Sequence, residues 1–433
     1  MSEPVIALPS WTPTQRELDD LDLLVSGALG PRGTGFIDPR SGDASPLTLT
    51  VPDEIAEQAL RAGQLDLIDP EGAPLARLTI EGTWPGADSG TGLAGPVKRL
   101  APNDFGPFRR LHLAPDEVHA SNSPTSLLAV PVTRPLASSD IHTIADAARA
   151  QSRSILLVAC VGEGMPDRMS GPALVRATLA AAQLFDEPAA VVAAAVADHG
   201  WSGAHGKSNS PNDWLLDSVA AAFADRTLRL PRESAGKLPE SVAAITERAR
   251  PARDEQGVVV FVTGLSGSGK STLARALVDA ILEQGERTVT YLDGDVVRHQ
   301  LSKGLGFSRA DRETNILRIG FVAAEIARHG GMAVCSPIAP FESTRAQVKE
   351  MVERTGGGFL LVHVATPLEE CERRDRKGLY AKARRGEIPD FTGISSPYEE
   401  PIAALKVDTN DRLIAECLDD ILAALVADGW LHS

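Results

Sequence analysis

The chain has 433 residues, of which 43% are hydrophobic and 23% charged, and a net charge of −15. That length supports two or three domains with substantial cores. The acidic balance argues against a nucleic-acid or anionic-membrane partner, both of which need a basic surface. It leaves room for a small anionic substrate held in a local basic pocket. Cys160, Cys335, Cys371 and Cys417 are far apart with no CxxC pair. This spacing predicts neither a zinc site nor a disulfide framework, and fits a reducing cytoplasm. No apolar run approaches a membrane span. The start, Met-Ser-Glu-Pro, has no basic segment followed by an apolar stretch, so no secretory leader is expected.

The first 115 residues predict a mainly β domain. Leu47–Val51 and Leu75–Ile80 have the pattern of short strands, with turns at Asp69-Pro-Glu-Gly72 and Trp84-Pro-Gly86. Residues 116–230 predict an α/β domain with apolar strands at Leu127–Val132, Ile155–Val161 and Ala190–Val196. Residues 231–256 carry prolines, charges and few large apolar groups, which predicts a linker. From 257 to 433 strands and helices alternate. Val258–Thr263, Thr288–Leu292, Met332–Cys335 and Phe359–Ala365 are the predicted strands, and a helix with Leu413, Cys417, Ile421 and Leu425 on one face closes the chain. That alternation predicts a parallel sheet flanked by helices.

The first of these strands runs into Gly264-Leu-Ser266-Gly267-Ser268-Gly269-Lys270-Ser271-Thr272, a phosphate-cradling P-loop in its required strand–loop–helix context. Its glycines let backbone N–H groups approach phosphates, Lys270 reaches the β/γ oxygens, and the Ser271 hydroxyl suits Mg²⁺. Leu273, Leu277 and Ile281 mark the amphipathic helix that follows. The motif predicts a nucleoside-triphosphate site, with ATP and Mg²⁺ as its cofactors. After the next strand, Asp293-Gly-Asp295 sets two carboxylates at the sheet edge where such folds bind ligands. One carboxylate suits a metal-bound water and the other a hydroxyl proton. Arg298 and Arg312 offer forked grips on an anionic oxygen, and Phe307 a ring for a base. Arg373 to Arg385 is a dense basic run within an acidic protein, and it contains Lys377-Gly-Leu-Tyr380. The glycine at its centre predicts a lid that closes on phosphates and excludes water.

Together these segments resemble adenylyl-sulfate kinase from about residue 256 to the C-terminus. The resemblance rests on the P-loop, Leu292-Asp-Gly-Asp295, Leu305-Gly-Phe-Ser308, Asp311-Arg312 with Asn315, Lys377-Gly-Leu-Tyr380, Phe391-Thr392-Gly393-Ile394 and Pro397-Tyr-Glu399. It implies transfer of the ATP γ-phosphoryl group to the 3′-hydroxyl of adenosine 5′-phosphosulfate (APS), giving 3′-phosphoadenosine 5′-phosphosulfate (PAPS) and ADP. By that resemblance Arg298, Arg312 and Asn315 hold the phosphosulfate, and Phe307 and Phe391 sandwich the adenine. Asp293 or Asp295 orients or deprotonates the hydroxyl, Ser271 and Asp293 serve the metal, and Arg373 and Lys377 serve the phosphates. Ile338, Lys377, Thr392 and Gly393 complete the acceptor side, and a homodimer is implied. Many family members carry a serine and then an arginine where this chain has Ile338-Ala339-Pro340-Phe341-Glu342. Ala339 has no hydroxyl, so a phosphoserine intermediate is excluded there. Leu317 and Phe321 also replace polar residues common in the family. A sugar or nucleoside kinase is the competing P-loop reading, and Phe307, Arg312 with Asn315, and Phe391-Thr-Gly-Ile394 speak against it.

The N-terminal half resembles ATP sulfurylase more weakly, through Leu21-Asp-Leu-Leu24, Gly27-Ala-Leu-Gly-Pro31, Gly35-Phe36, Leu49-Thr-Val-Pro52 and Gly95-Pro-Val97. This implies a β domain of PUA-like type followed by a truncated α/β sulfurylase-like domain. That family's active-site motif is Gln-x-Arg-Asn-Pro-x-His-x-x-His. Aligned on Pro135, its positions hold Pro131, Thr133, Arg134, Ala137 and Asp140, so both histidines are missing; His142 replaces one only with a two-residue shift. The resemblance therefore implies a silent domain with an assembly or regulatory role, such as recruiting a separate sulfurylase. A bifunctional enzyme is the alternative.

Overall fold

The computed structural model describes residues 8–432, apart from 87–89, 102–105, 167–168, 201–209, 235 and 307. The chain divides into two compact units, Met1–Ala249 and Arg250–Ser433.

In the first unit a mixed seven-stranded sheet is organised around the long strand Gly90–Arg99, which pairs antiparallel with Gly35–Phe36, Leu49–Pro52, Pro74–Thr79 and Gly82–Pro85. A strand that the sequence reading did not name, Gln64–Ile68, alternates, with Leu65 and Leu67 buried opposite Leu78 and Ala76. Trp84 and Pro85 belong to a strand rather than the expected turn, because the chain reverses later: the Gly86 N–H donates to the Gly90 carbonyl at 2.8 Å. Beside this sheet lies a four-stranded parallel one, ordered Ala190–Ala194, Ser154–Cys160, Leu127–Val132, Arg226–Thr227. The expected boundary at residue 115 is not a break in packing. A single hydrophobic cluster runs from Leu21, Phe36 and Leu67 to Val158, Leu215 and Phe223, so both sheets share one core. The expected linker also holds a helix, Glu240–Ala249. Its few apolar residues are spaced to face inward, and Val242 is fully buried among residues of Gly171–Ala182.

The second unit is a five-stranded parallel sheet ordered Val289–Leu292, Met332–Cys335, Val258–Thr263, Gly358–Val364, Leu405–Val407. Its central strand is apolar from Val258 to Val262 because helices cover both faces. Val258, Val260 and Val262 pack on one side with Leu273, Leu277, Ile281, Cys417, Ile421 and Leu425. Val259 and Phe261 pack on the other with Ile316, Ile319, Val348 and Val352. Leu413, expected on the buried face of the last helix, instead precedes Ile414–Ala427 and is exposed. Among the described residues, no helix is long and apolar enough to cross a membrane.

Candidate active site

The carboxyl ends of these strands converge on one cavity of about 940 Å³. The P-loop leaves the central strand. Gly264 there has φ +146°, and a Cβ on it would lie 2.6 Å from the Val364 carbonyl oxygen, so only glycine fits. Gly269, at φ +98°, starts the helix Lys270–Gln284. Lys270 is buried and its Nζ donates to the Leu265 carbonyl at 2.6 Å, which holds the ammonium group within the loop. The Ser268 hydroxyl is buried with no partner.

Asp293 follows the edge strand and is buried. The Tyr291 hydroxyl donates to its carboxylate at 2.8 Å, and the Val296 N–H approaches its other oxygen at 3.3 Å. Tyr291 also meets the Ser336 hydroxyl at 2.9 Å, and the Ser271 hydroxyl acts on the same phenol. Burial, reinforced by Asp293, raises the Tyr291 pKa above its ordinary value, so the phenol keeps its proton at neutral pH. Asp295 lies in the helix Gly294–Gln300, and its side chain is outside the described residues, as is Phe307.

The acceptor end is built from the helix Arg309–Arg328 and the segments 338–340 and 391–399. Arg312 donates to the Thr392 and Ser396 hydroxyls at 2.9 and 3.2 Å, while its Nε is buried without a partner. Burial pulls its pKa down, with Asp390 opposing and Arg309 adding to the fall. A bound anion would relieve that penalty. Asn315 is buried with its Oδ1 unpartnered. Arg298 donates to the Gly306 carbonyl at 2.7 Å. Ala339, at φ +43°, is fully buried, and its carbonyl accepts from Arg345 at 2.7 Å.

The basic run Arg373–Arg385, expected to form a lid, takes in the end of the helix Leu368–Arg374 and the helix Leu379–Arg384. Several of its cations are matched locally, Arg373 and Arg374 with Glu370, Arg384 with Glu372, and Arg385 with Glu387. Tyr380 is buried and donates to the Ser266 carbonyl at 2.8 Å, tying this segment to the P-loop. Arg374 bonds Thr409, whose hydroxyl in turn donates to the Ser268 carbonyl.

The structure thus brings Ser266, Gly267, Gly269, Lys270, Ser271, Thr272, Asp293, Arg298, Arg312, Asn315, Ile338, Arg373, Lys377 and Thr392 to the lining of one cavity. Gly393 instead lines a neighbouring hollow, because the loop turns away after Thr392. Phe391, expected on the adenine, meets the Tyr380 ring edge-on at 5.0 Å. Sequence reasoning missed Tyr291, Ser336, Thr409 and Arg412. Only Tyr291 left a trace, because a strand's two-residue repeat puts it on the same side as Asp293. Eight lysine and arginine side chains line the cavity against the two carboxylates of Asp293 and Asp375. In a chain of net charge −15, such a concentration of cations suits a polyanion.

In the first unit the positions of the expected sulfurylase motif are closed on themselves. Asp140 takes both Arg134 guanidinium nitrogens at 2.7 and 3.0 Å and the Ala137 N–H at 2.7 Å. Burial pushes its pKa up, but the guanidinium and the N–H outweigh it, and the net shift is downward. Arg134 also donates to the Pro231 carbonyl. The hollow beside them measures about 20 Å³, room for roughly one water molecule.

A parallel sheet with a P-loop off its central strand, a buried lysine and a cationic cavity defines the second unit as a P-loop nucleotide-binding fold of the small-molecule kinase type. Residues 256–408 match the family model for adenylylsulphate kinase. That match places an adenylylsulphate kinase domain in the C-terminal half of the chain. A solved structure, the hexameric APS kinase from Thiobacillus denitrificans, is similar along 99% of this chain and 95% of its own, at 29% identity and a TM-score of 0.71. The Mycobacterium tuberculosis APS kinase, solved in complex with AMPPNP and APS, is 44% identical over 40% of this chain and 98% of its own, at a TM-score of 0.38. The sulfate adenylyltransferase of Aspergillus clavatus is 49% identical over 193 residues, 44% of this chain and 33% of that protein. The chain thus spans about a third of the length of such curated relatives.

Proposed function

We propose that the C-terminal unit transfers the γ-phosphoryl group of ATP to the 3′-hydroxyl of APS, forming PAPS and ADP. The observation that carries this reading is one cavity holding both the P-loop and the Arg312–Asn315 pair, in which Arg312 Nε and Asn315 Oδ1 are buried without a partner. In this reading Lys270 leaves the Leu265 carbonyl for the β/γ-phosphate oxygens. Arg373 and Lys377 hold the nucleotide's phosphates, and Arg298, Arg312 and Asn315 take the phosphosulfate. Phe307 and Phe391 hold the adenine, the latter only after leaving its place against Tyr380. Asp293 or Asp295 receives the proton of the attacking hydroxyl, and transfer is direct, because Ala339 offers no hydroxyl. Ser271 and Asp293 suit Mg²⁺, which takes one or two protein oxygens beside phosphate oxygens and waters. When bound, the ion neutralises charge on the transferred group.

The N-terminal unit is, in this reading, catalytically silent and serves assembly or regulation. The Arg134–Asp140 pair and the small size of the hollow beside it support that. The hexameric state of the Thiobacillus denitrificans protein favours an assembly larger than the expected homodimer. Four buried, unpaired cysteines suit a cytoplasmic setting. The names of the fungal relatives keep the bifunctional alternative in view. The full chain with ATP, Mg²⁺ and APS is expected to give PAPS and ADP, and with ATP, Mg²⁺ and sulfate no APS. Failure of the first reaction overturns the kinase reading. Sulfate-dependent release of pyrophosphate in the second overturns the silent-domain reading.

A further inference from the structure

The edge strand Val289–Leu292 supplies a side chain to which the reading above gives no part. Tyr291 packs its ring against the apolar layer around Leu273 and Leu277, which anchors it from behind. An aliphatic side chain would serve that layer equally well, so the hydroxyl is the informative group. It has one proton, donated to the Asp293 carboxylate at 2.8 Å. It therefore accepts from Ser336, 2.9 Å away. The result is a directed chain, Ser336 to Tyr291 to Asp293, with the Ser271 hydroxyl acting on the same phenol. The second Asp293 oxygen faces the Val296 N–H at 3.3 Å. Both carboxylate oxygens are thus constrained before any nucleotide arrives.

We infer that Tyr291 is a positioning residue that presets the Asp293 carboxylate beside Ser271 to receive a divalent cation carried by the nucleotide. The inference rests on the assignment of Asp293 and Ser271 to the metal. A phenol serves this purpose because it donates to the carboxylate without adding charge. Outer groups of this kind set the affinity of a metal site through the ligands they orient.

The test is Tyr291→Phe in the full chain, which keeps the ring and its packing. Binding of Mn²⁺ to the ADP-loaded protein, read from the free-ion EPR signal, is expected to weaken about tenfold, a typical loss when an outer partner is removed. Binding of ADP in EDTA is expected to stay at the wild-type value. A merely structural tyrosine would move both or neither. The Tyr291→Phe/Asp293→Asn double variant should bind Mn²⁺ no more weakly than Asp293→Asn alone, since the phenol acts through that carboxylate. Wild-type Mn²⁺ affinity in Tyr291→Phe, or a further tenfold loss in the double variant, overturns the inference. These readouts need no acceptor. A wild-type protein that binds Mn²⁺ and ADP but makes no PAPS therefore refutes the acceptor assignment and leaves the role of Tyr291 to the EPR result.

Discussion

Replacing Arg345 by methionine tests how the acceptor side is held. Its side chain is 1% exposed, yet it carries a charge. It donates to the Ala339 carbonyl at 2.7 Å, the Glu399 carbonyl at 2.6 Å and the Glu342 carboxylate. It therefore joins the cavity-lining segment 338–340 to the segment 397–399. Just before the latter stand Thr392 and Ser396, the partners of Arg312. Removing one member of a buried ion pair costs about 3–5 kcal/mol. Glu342 is 44% exposed and regains water when abandoned, so the lower end applies, about 3 kcal/mol. At about 1.4 kcal/mol per decade, that is about two decades in the local opening equilibrium. Two amides cross the joint and report on it: the Glu399 N–H donates to the Pro340 carbonyl at 2.9 Å, and the Glu342 N–H to the Glu399 carboxylate at 2.7 Å. Hydrogen exchange at both should accelerate about 100-fold in Arg345→Met. The KM for APS should rise more than the KM for ATP. Arg345→Lys should recover part of each, since an ammonium group reaches fewer of these acceptors. Unchanged exchange at both amides together with an unchanged APS KM would refute the reasoning.

Lys270→Ala should abolish PAPS formation while leaving the circular dichroism spectrum intact, because the buried ammonium group faces charge that grows in the transition state; near-normal turnover would remove the P-loop assignment. Arg312→Ala should raise the KM for APS far more than that for ATP, by about 2–5 kcal/mol in binding terms, and equal effects would make Arg312 a structural residue. Asp19 makes the first unit sensitive to pH. Burial pushes its pKa from 3.8 to about 7, against bonds from the Glu163 N–H and Gln15. The fold therefore favours the protonated acid, and that stabilisation is complete below pH 3.8 and lost as pH rises through about 7. Asp19→Asn should flatten the fall of melting temperature between pH 5 and 8, and a variant melting with the wild-type slope would count against the assignment.

The second unit was legible because its signals are local. Five consecutive apolar residues, a glycine loop and Lys270-Ser271 specify strand, loop and helix without reference to anything distant. Asp293 and Arg312 were legible as residue types at motif spacing. Their present pairings were not: Thr392 was legible only as part of a motif, Tyr291 only through the two-residue repeat, and Ser336 and Ser396 are hydroxyls that occur on any surface and acquire meaning only through contact. Phe391 was misplaced for a related reason: a ring is equally suited to a base and to Tyr380. The helix Glu240–Ala249 was hidden because proline and charge dominate its surroundings, while Val242, its one fully buried residue, counts only against a neighbour far away in sequence. The shared core of the first unit was invisible for the same reason, since periodicity records which side of an element is apolar but not what covers it.

The ion pair between Arg134 and Asp140 has an implication for anyone wishing to install sulfurylase chemistry in this chain. An imidazole introduced by Ala137→His or Asp140→His would find neither space nor solvent there. Asp140 caps the helix Ser138–Ala150 through the Ala137 N–H, so replacing it trades activity sought against a helix end lost. Arg134, deprived of its carboxylate, would keep only the carbonyls of Pro135 and Pro231 for its charge. A ground that would have to stay open for a nucleotide is here part of what holds the unit together, and exchanging those two residues alone would dismantle before it built.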